Sequence, residues 1–333
     1  MLAIIAGTLV YNPSAGNAKY ASIIIDSKSG QVRHSVNADT RNFPASLTKL
    51  MTLYLLFEAV KHKKLKMNSK MVVSHRAANQ PASRLGLKPG QSIRVRDAIA
   101  ALIIKSANDV ATVVAEAIAG NERRFALLMT NKARKLGMSR TIFRNASGLS
   151  NRGQMSTAKD MALLTQTLIN RFPQYYHLFS KKKFTFQGRT YRTHNKVLKN
   201  FPGAEGMKTG YIRASGYNLI TTAKQDGHRL VGVIFGGNTA RSRDRHMKTL
   251  LNRAYAKLRA ERMRIRANKN RYSNKKQKIN PKVIDGTKAK KSVWGIQIGA
   301  FYTRKPAVTV AKDLFRKHPK LLGDGQIAIM PLQ

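Results

Sequence analysis

A serine followed three residues later by a lysine is the smallest pairing in this chain that could do covalent chemistry: the hydroxyl attacks a carbonyl and the amine takes its proton. Four such pairs occur, Ser46/Lys49, Ser156/Lys159, Ser180/Lys183 and Ser273/Lys276, and the abundance of lysine makes any one of them weak by itself. Ser180 opens a lysine run and Ser273 lies in a basic stretch poor in large apolar residues, so both read as incidental. Ser156 stands where a helix N-cap is needed, with Asp160 supporting the first turn. Only Ser46 begins a long apolar stretch, Leu47 to Val60. At the start of a buried helix its hydroxyl would meet the positive end of the dipole, near backbone N–H groups free to hold an oxyanion. Lys49 falls on the same helix face, and desolvation among cations would lower its pKa until the neutral amine can act as base. For this pair alone, a capping serine with a snorkelling lysine remains the other reading.

Two further groups extend the pair. Ser106-Ala107-Asn108 occupies a helix–helix junction, and Lys208-Thr209-Gly210 follows a glycine-flanked turn and leads into a strand region. Each has a decoy, Ser35-Val36-Asn37 and Lys28-Ser29-Gly30, but both decoys precede Ser46 and sit in a first hairpin whose turn explains them. The ordered set Ser46, Ser106, Lys208 is far more specific than any member. The chain has no cysteine, which removes thiolate catalysis, disulfides and Cys-ligated zinc. Its eight histidines are scattered without a His-Glu-x-x-His cluster, so neither a metal nor another cofactor is expected.

These residues need a scaffold, and the composition allows one: of the 333 residues 42% are hydrophobic and 23% charged, a globular profile. Ala21–Ile25 and Gln31–Val36 read as strands around a turn, and helices are expected from about Ser46 to Lys61, Asp97 to Ile104, Asp109 to Ala119 with Gly120 as a stop, Glu122 to Leu136, and Ser156 to Asn170. Tyr217–Thr222 and Arg229–Phe235 flank Asp226-Gly227, a hairpin signal, and a helix from Arg243 to Leu258 closes the domain. Strands at both ends of the sequence and helices between them predict an α+β fold with a largely antiparallel sheet. Beyond it, Lys257–Lys291 is rich in Lys and Arg, with Glu261 and Asp285 as its acids, and reads as a solvated, disordered linker.

The ordered motifs resemble the penicillin-binding-protein and serine β-lactamase superfamily, and the longer stretches FPASLTKLMTLYLLFE, IKSANDVATVVAE, FRNASGLSNRGQMSTAKDMALLT and GMKTGYIRASGYNLITTA look like the low-molecular-weight D-alanyl-D-alanine carboxypeptidases. The resemblance implies a penicillin-binding-protein/β-lactamase-like domain, an antiparallel sheet flanked by helices plus a helical subdomain. It implies that Ser46 attacks the terminal D-Ala-D-Ala bond with Lys49 as base, that Ser106 relays the proton to the leaving amine, and that Asn108 positions the substrate backbone. Lys208 and Thr209, in the Lys208-Thr209-Gly210 motif, would hold the terminal carboxylate, with the oxyanion between the N–H groups of Ser46 and Tyr211. Arg243 would lie near that carboxylate; its other reading is one more surface arginine. The implied partners are peptidoglycan stem peptides ending in D-Ala-D-Ala, and β-lactams as covalent inhibitors. No Glu occurs between Glu122 and Glu205, and Asp160 is accounted for by a helix start, so the deacylating glutamate of a class A β-lactamase is not expected.

The expected division is a signal peptide over 1–18, the carboxypeptidase domain over 19–258, a basic linker over 259–292 and a C-terminal segment over 293–333. The apolar run Leu2–Val10 with small residues Gly16 and Ala18 suits export to a bacterial periplasm and cleavage after Ala18; a buried first strand or helix is the alternative. Trp294–Phe301 and the helix after it resemble the opening of a SPOR domain, which implies contact with glycan strands; a structural appendage without glycan affinity is the alternative. The formal net charge of +47 would draw the chain to polyanions in general. A D,D-endopeptidase with the same motifs, a catalytically retired wall-binding protein and a basic polyanion binder are the competing functions, but no specific nucleic-acid readout element is present.

Overall fold

The two hairpins expected at opposite ends of the domain meet in one sheet. The computed structural model describes residues 20–278, 283–285, 304–318 and 327–329. The signal-peptide segment and the strand expected over Trp294–Phe301 lie outside the described residues.

β1 (Ala21–Asp26) and β2 (Val32–Val36) form the first hairpin, and a 3₁₀ turn, Ala45–Thr48, leads into α1 (Lys49–Lys61). Small elements follow: β3 (Lys70–Val72), α2 (His75–Ala78) and β4 (Ser92–Arg94). Next come α3 (Val95–Ala100), α4 (Asn108–Ala119), α5 (Glu122–Lys135), α6 (Ala158–Arg171) and α7 (Pro173–Tyr176). The second half holds β5 (Lys183–Phe186), β6 (Arg189–Arg192), α8 (Lys196–Asn200), β7 (Ala204–Ile212), β8 (Gly216–Gln225), β9 (His228–Gly237) and α9 (Ala240–Lys278). The five-stranded sheet runs β2-β1-β9-β8-β7, every neighbour antiparallel, so the first hairpin pairs with a strand more than two hundred residues later. α6 packs against β1 and β9, while α9 presses close to the sheet: a Cβ on Gly232 would lie 2.6 Å from Met247 Sδ and 2.8 Å from Ile24 Cδ1. Tyr255 Oη donates to Ala223 O at 2.6 Å. α1 is buried on nearly every side, as its unbroken apolar sequence requires.

Four expectations are corrected. Ser46 lies in the 3₁₀ turn, and the α-helix proper starts at Lys49. The helix expected to run from Asp97 to Ile104 is α3 followed by a π turn, Ala101–Lys105, which widens the coil before Ser106. The cap of α6 is Thr157: its Oγ1 accepts from Asp160 N at 3.0 Å. Ser156 is occupied otherwise, its backbone bridging to Asn42 and its hydroxyl 2.9 Å from that of Thr141. The stretch taken as a disordered linker is helical through Lys278, because Ala, Arg, Lys, Glu and Met are good helix formers whatever their charge. The chain divides into two units after Ala256. In the second, β10 (Val283–Asp285) pairs in parallel with β11 (Ile327–Ile329), and α10 (Arg304–Lys317) buries Ala311 and Phe315.

The turn that holds Ser46 is closely packed against Gly148. Gly148 has φ +87°, and a Cβ there would come within 1.8 Å of Ala45 O and 2.9 Å of Ser46 N. Gly148→Ala therefore combines a left-handed backbone with a clash against main chain, and is expected to cost about 2–4 kcal/mol. Urea denaturation with an unchanged slope and a lowered midpoint would register it.

Candidate active site

Ser46 and Lys49 are brought together at the start of α1 with Lys49 fully buried. Its Nζ makes three contacts: Asn108 Oδ1 at 2.7 Å, Ser147 O at 2.6 Å and Ser46 Oγ at 3.3 Å. The first two partners are oxygens that can only accept, and the orientation of the Asn108 amide is fixed because its Nδ2 donates to Pro81 O at 2.9 Å. A neutral amine satisfies both acceptors with its two N–H bonds and turns its lone pair to the Ser46 hydroxyl. Burial favours that neutral form: desolvation first, then the charge of Lys208, hold the ammonium well below the ordinary lysine value against the opposing pull of Asp109 and Glu122.

Two residues at the site have positive φ without being glycine. Ala45, directly before the nucleophile, has φ 48°, and Ser106, at the end of the π turn, has φ 62° and ψ 38°. Such conformations persist only where the surroundings over-determine them. For Ala45 the surroundings are Gly148 behind and Asn218 of β8 beside it, whose Nδ2 donates to Phe43 O at 3.0 Å. For Ser106 they are α4 and the loop before it. Asp109 is buried and accepts from the backbone N–H groups of Leu85, Gly86 and Leu87, and Asn108 N donates to Ser83 O at 2.7 Å. The Ser106 hydroxyl is itself buried with no protein partner among the described residues, and it faces a cleft of about 280 Å³.

Ser46, Ser106, Asn108, Thr209, Gly210, Tyr211 and Arg243 all line that cleft. β7 forms its wall as the sheet's edge strand and lies so close to the nucleophile's turn that a Cβ on Gly210 would be 3.2 Å from both Pro44 O and Ser46 N. Glycine is what permits the approach. The Tyr211 ring sits on that of Tyr217, centroids 4.4 Å apart. Lys208 is buried behind the wall, its Nζ donating to Thr209 O at 2.8 Å; burial, with Arg243 adding repulsion, pushes its pKa down to about 7. Arg243 is not a surface residue: it is 4% exposed, with Nη1 donating to Asn218 O at 3.0 Å and Nε and Nη2 to Asp244 Oδ1 at 3.0 and 2.7 Å. Two of its N–H bonds remain for a ligand.

The cleft also contains residues that pattern reading passed over. His194, on the loop between β6 and α8, lines it; burial first, then Lys208 and Lys105, lowers its pKa. No sequence signal marks a lone histidine, and none marks a carbonyl such as Ser147 O. Among the described residues no carboxylate lines the cleft. Asp160 takes bonds from Thr141 Oγ1 at 2.6 Å and Arg140 N at 3.0 Å, and Glu122 pairs with Arg76 at 2.8 Å and accepts from Ala146 N. Among the described residues no group of His, Asp and Glu side chains is placed to hold a metal, and no helix is long and apolar enough to cross a membrane.

An antiparallel sheet packed against helices, with a serine–lysine pair at the head of a buried helix and a Lys-Thr-Gly edge strand across a cleft, defines the penicillin-binding-protein/β-lactamase class of fold. Known proteins narrow the class. Residues 10–239 match the Peptidase S11 family, described as D-alanyl-D-alanine carboxypeptidase, and the chain belongs to that family. It is 39% identical over 238 residues to D-alanyl-D-alanine carboxypeptidase DacC of Escherichia coli, a match covering 69% of this chain and 60% of the relative. It is 32% identical over 245 residues to DacF of Bacillus subtilis, covering 71% and 62%. The chain thus spans about three fifths of the length of these relatives. Among solved structures, penicillin binding protein 5 from Haemophilus influenzae superposes with a TM-score of 0.69 at 31% identity, covering 74% of this chain and 73% of that one. Penicillin-Binding Protein D2 from Listeria monocytogenes, in an ampicillin-bound form, gives 0.63 at 31% identity, covering 72% and 97%.

The pKa of Lys208 sets a direction for ligand binding. Its charged form prevails below about 7, so any pull it exerts on a bound carboxylate is expected to be full at pH 6 and lost as the pH rises. Calorimetric binding of a peptide with a free C-terminal carboxylate to the Ser46→Ala protein should weaken by up to roughly tenfold per pH unit above that point and take up protons. Affinity that is flat from pH 6 to 8.5 would contradict the assignment.

Proposed function

We propose that the chain is a serine-type D-alanyl-D-alanine carboxypeptidase that removes the terminal D-alanine from peptidoglycan stem peptides. The observation that carries this reading is the set of three contacts at Lys49 Nζ, which leaves its lone pair for Ser46 Oγ. Ser46 Oγ attacks the carbonyl of the terminal D-Ala-D-Ala bond and its proton passes to Lys49. The backbone N–H groups of Ser46 and Tyr211 hold the oxyanion that forms. Collapse breaks the C–N bond, and the amine of D-alanine leaves with a proton relayed through Ser106. Water then attacks the ester, again losing its proton to Lys49, and Ser46 is restored.

Lys208, Thr209 and Arg243 meet the terminal carboxylate, and Gly210 keeps the strand close enough for the Tyr211 N–H to serve. Asn108 has one Nδ2 proton left after its bond to Pro81 O, and that proton positions the substrate backbone. The reading includes location in a bacterial periplasm, supported by the Leu2–Val10 run and the small residues after it. It also includes contact of the C-terminal segment with glycan strands, supported by the likeness of Trp294–Phe301 to a SPOR strand.

Fluorescent penicillin should label the wild-type protein at Ser46 and leave Ser46→Ala unlabelled, and only the wild type should release D-alanine from a pentapeptide. The adduct should be long-lived, since among the described residues no carboxylate lines the cleft to activate a water. Absence of labelling in the wild type, or rapid turnover of penicillin, would refute the assignment.

A further inference from the structure

The first turn of α9 lines the cleft with Ala240 and Arg243, and presents a different face elsewhere. Arg241, Arg245 and Lys248 are spaced i, i+4, i+7 and so share a side of the helix. Opposite them are Lys196 and Asn200, one turn apart on α8. These residues and Asp244 line a second cavity of about 260 Å³. Among the described residues none of the four cations forms an ion pair.

Asp244 does not neutralise them, because its charge is matched by Arg243 through the two bonds to Oδ1. The cavity therefore carries four uncompensated positive charges, and the N-terminal end of a 39-residue helix adds to the same sign. Asp244 contributes a second feature: it is only 6% exposed, and its Oδ2 has no hydrogen-bond partner among the described residues. A buried acceptor left bare is costly, so an occupant that brings a donor gains from supplying it. The ligand that fits both features has carboxylates for the cations and an N–H for Asp244 Oδ2. An acidic peptide has both, carboxylates on its side chains and N–H groups along its backbone.

We propose that this cavity is a second binding site, for an acidic peptide, separated from the active-site cleft by the Arg243–Asp244 pair. On the carboxypeptidase reading, on which this identification of the occupant rests, it is a neighbouring stem peptide of the same polymer, held while its neighbour is cut.

Calorimetry on the full chain at low salt, with N-acetylated Ala-Glu-Glu-Ala as probe, tests the site without needing turnover. Saturable binding is expected, weakened about tenfold in Arg241→Ala/Arg245→Ala. The exposed pair Arg123→Ala/Arg124→Ala on α5, which removes the same charge, should leave it within about twofold. Equal losses in both double variants would reduce the effect to general charge and overturn the proposal. So would absence of saturable binding at roughly millimolar peptide, or displacement of the peptide by an equal concentration of inorganic phosphate. Penicillin labelling separates the two readings. Arg241→Ala/Arg245→Ala should acylate at the wild-type rate, and a wild type that binds the probe but does not acylate would count against the carboxypeptidase assignment alone.

Discussion

The buried amine of Lys49 is the point on which the site turns. Its Nζ joins three separate stretches of chain: the nucleophile's turn, the start of α4 through Asn108, and the Ser147 carbonyl. A charged lysine in a dry interior would be expensive; a neutral one asks only for two acceptors. The same burial that lowers its pKa favours the neutral form, whose lone pair can accept a proton. Much of the surrounding polar structure aligns those acceptors. Asn108 is turned by Pro81 O, the loop over it is tied down by Asp109, and the Ser147 segment is braced by Thr52 Oγ1 on Ala146 O at 2.6 Å and by Glu122 on Ala146 N.

Opposite that amine, the design problem is proximity. The edge strand lies against the Ser46 turn, and a Cβ on Gly210 would crowd Pro44 O and Ser46 N at 3.2 Å. Gly148 lies against the same turn from the other side. Between them the Ala45–Ser46 peptide has no room to move, which explains how a positive φ is tolerated at Ala45. Burial first, and the nearby Arg243 second, make the charged form of Lys208 unfavourable, as its depressed pKa reports. Preorganised cations of this kind contribute to selecting an anionic ligand.

Ser46, Lys49, Ser106 and Lys208 stand out from their decoys by type and order, and the structure puts Ser46 and Ser106 on one cleft, Lys49 against Ser46 and Lys208 on the strand that walls it. The antiparallel sheet is readable in the sequence as well, from strands at the two ends of the domain. What stayed hidden was main chain and context. Ser147 O could not be seen, because every residue has a carbonyl. The cap of α6 was placed one residue early, since Ser156 and Thr157 are equally good caps and the bridge to Asn42 decides between them. By charge alone the basic stretch after Leu258 reads as disordered, but its helix propensity carries α9 through Lys278. Arg243 illustrates the limit well: a guanidinium in a run of arginines gives no sign that it is buried.

The sheet's connectivity bears on when this chain can fold. β1 leaves the synthesis machinery early, but its long partner is β9, and the register Ala21↔Phe235 to Asp26↔Leu230 spans nearly the whole domain. The central pairing is therefore unavailable until β9 has been made, and β2 alone is a meagre template for an isolated hairpin. The cleft, whose far wall is β7 at the sheet's other edge, is a late product of the same closure. A polypeptide built this way leaves the surroundings of Ser46 unassembled until most of the domain has been synthesised.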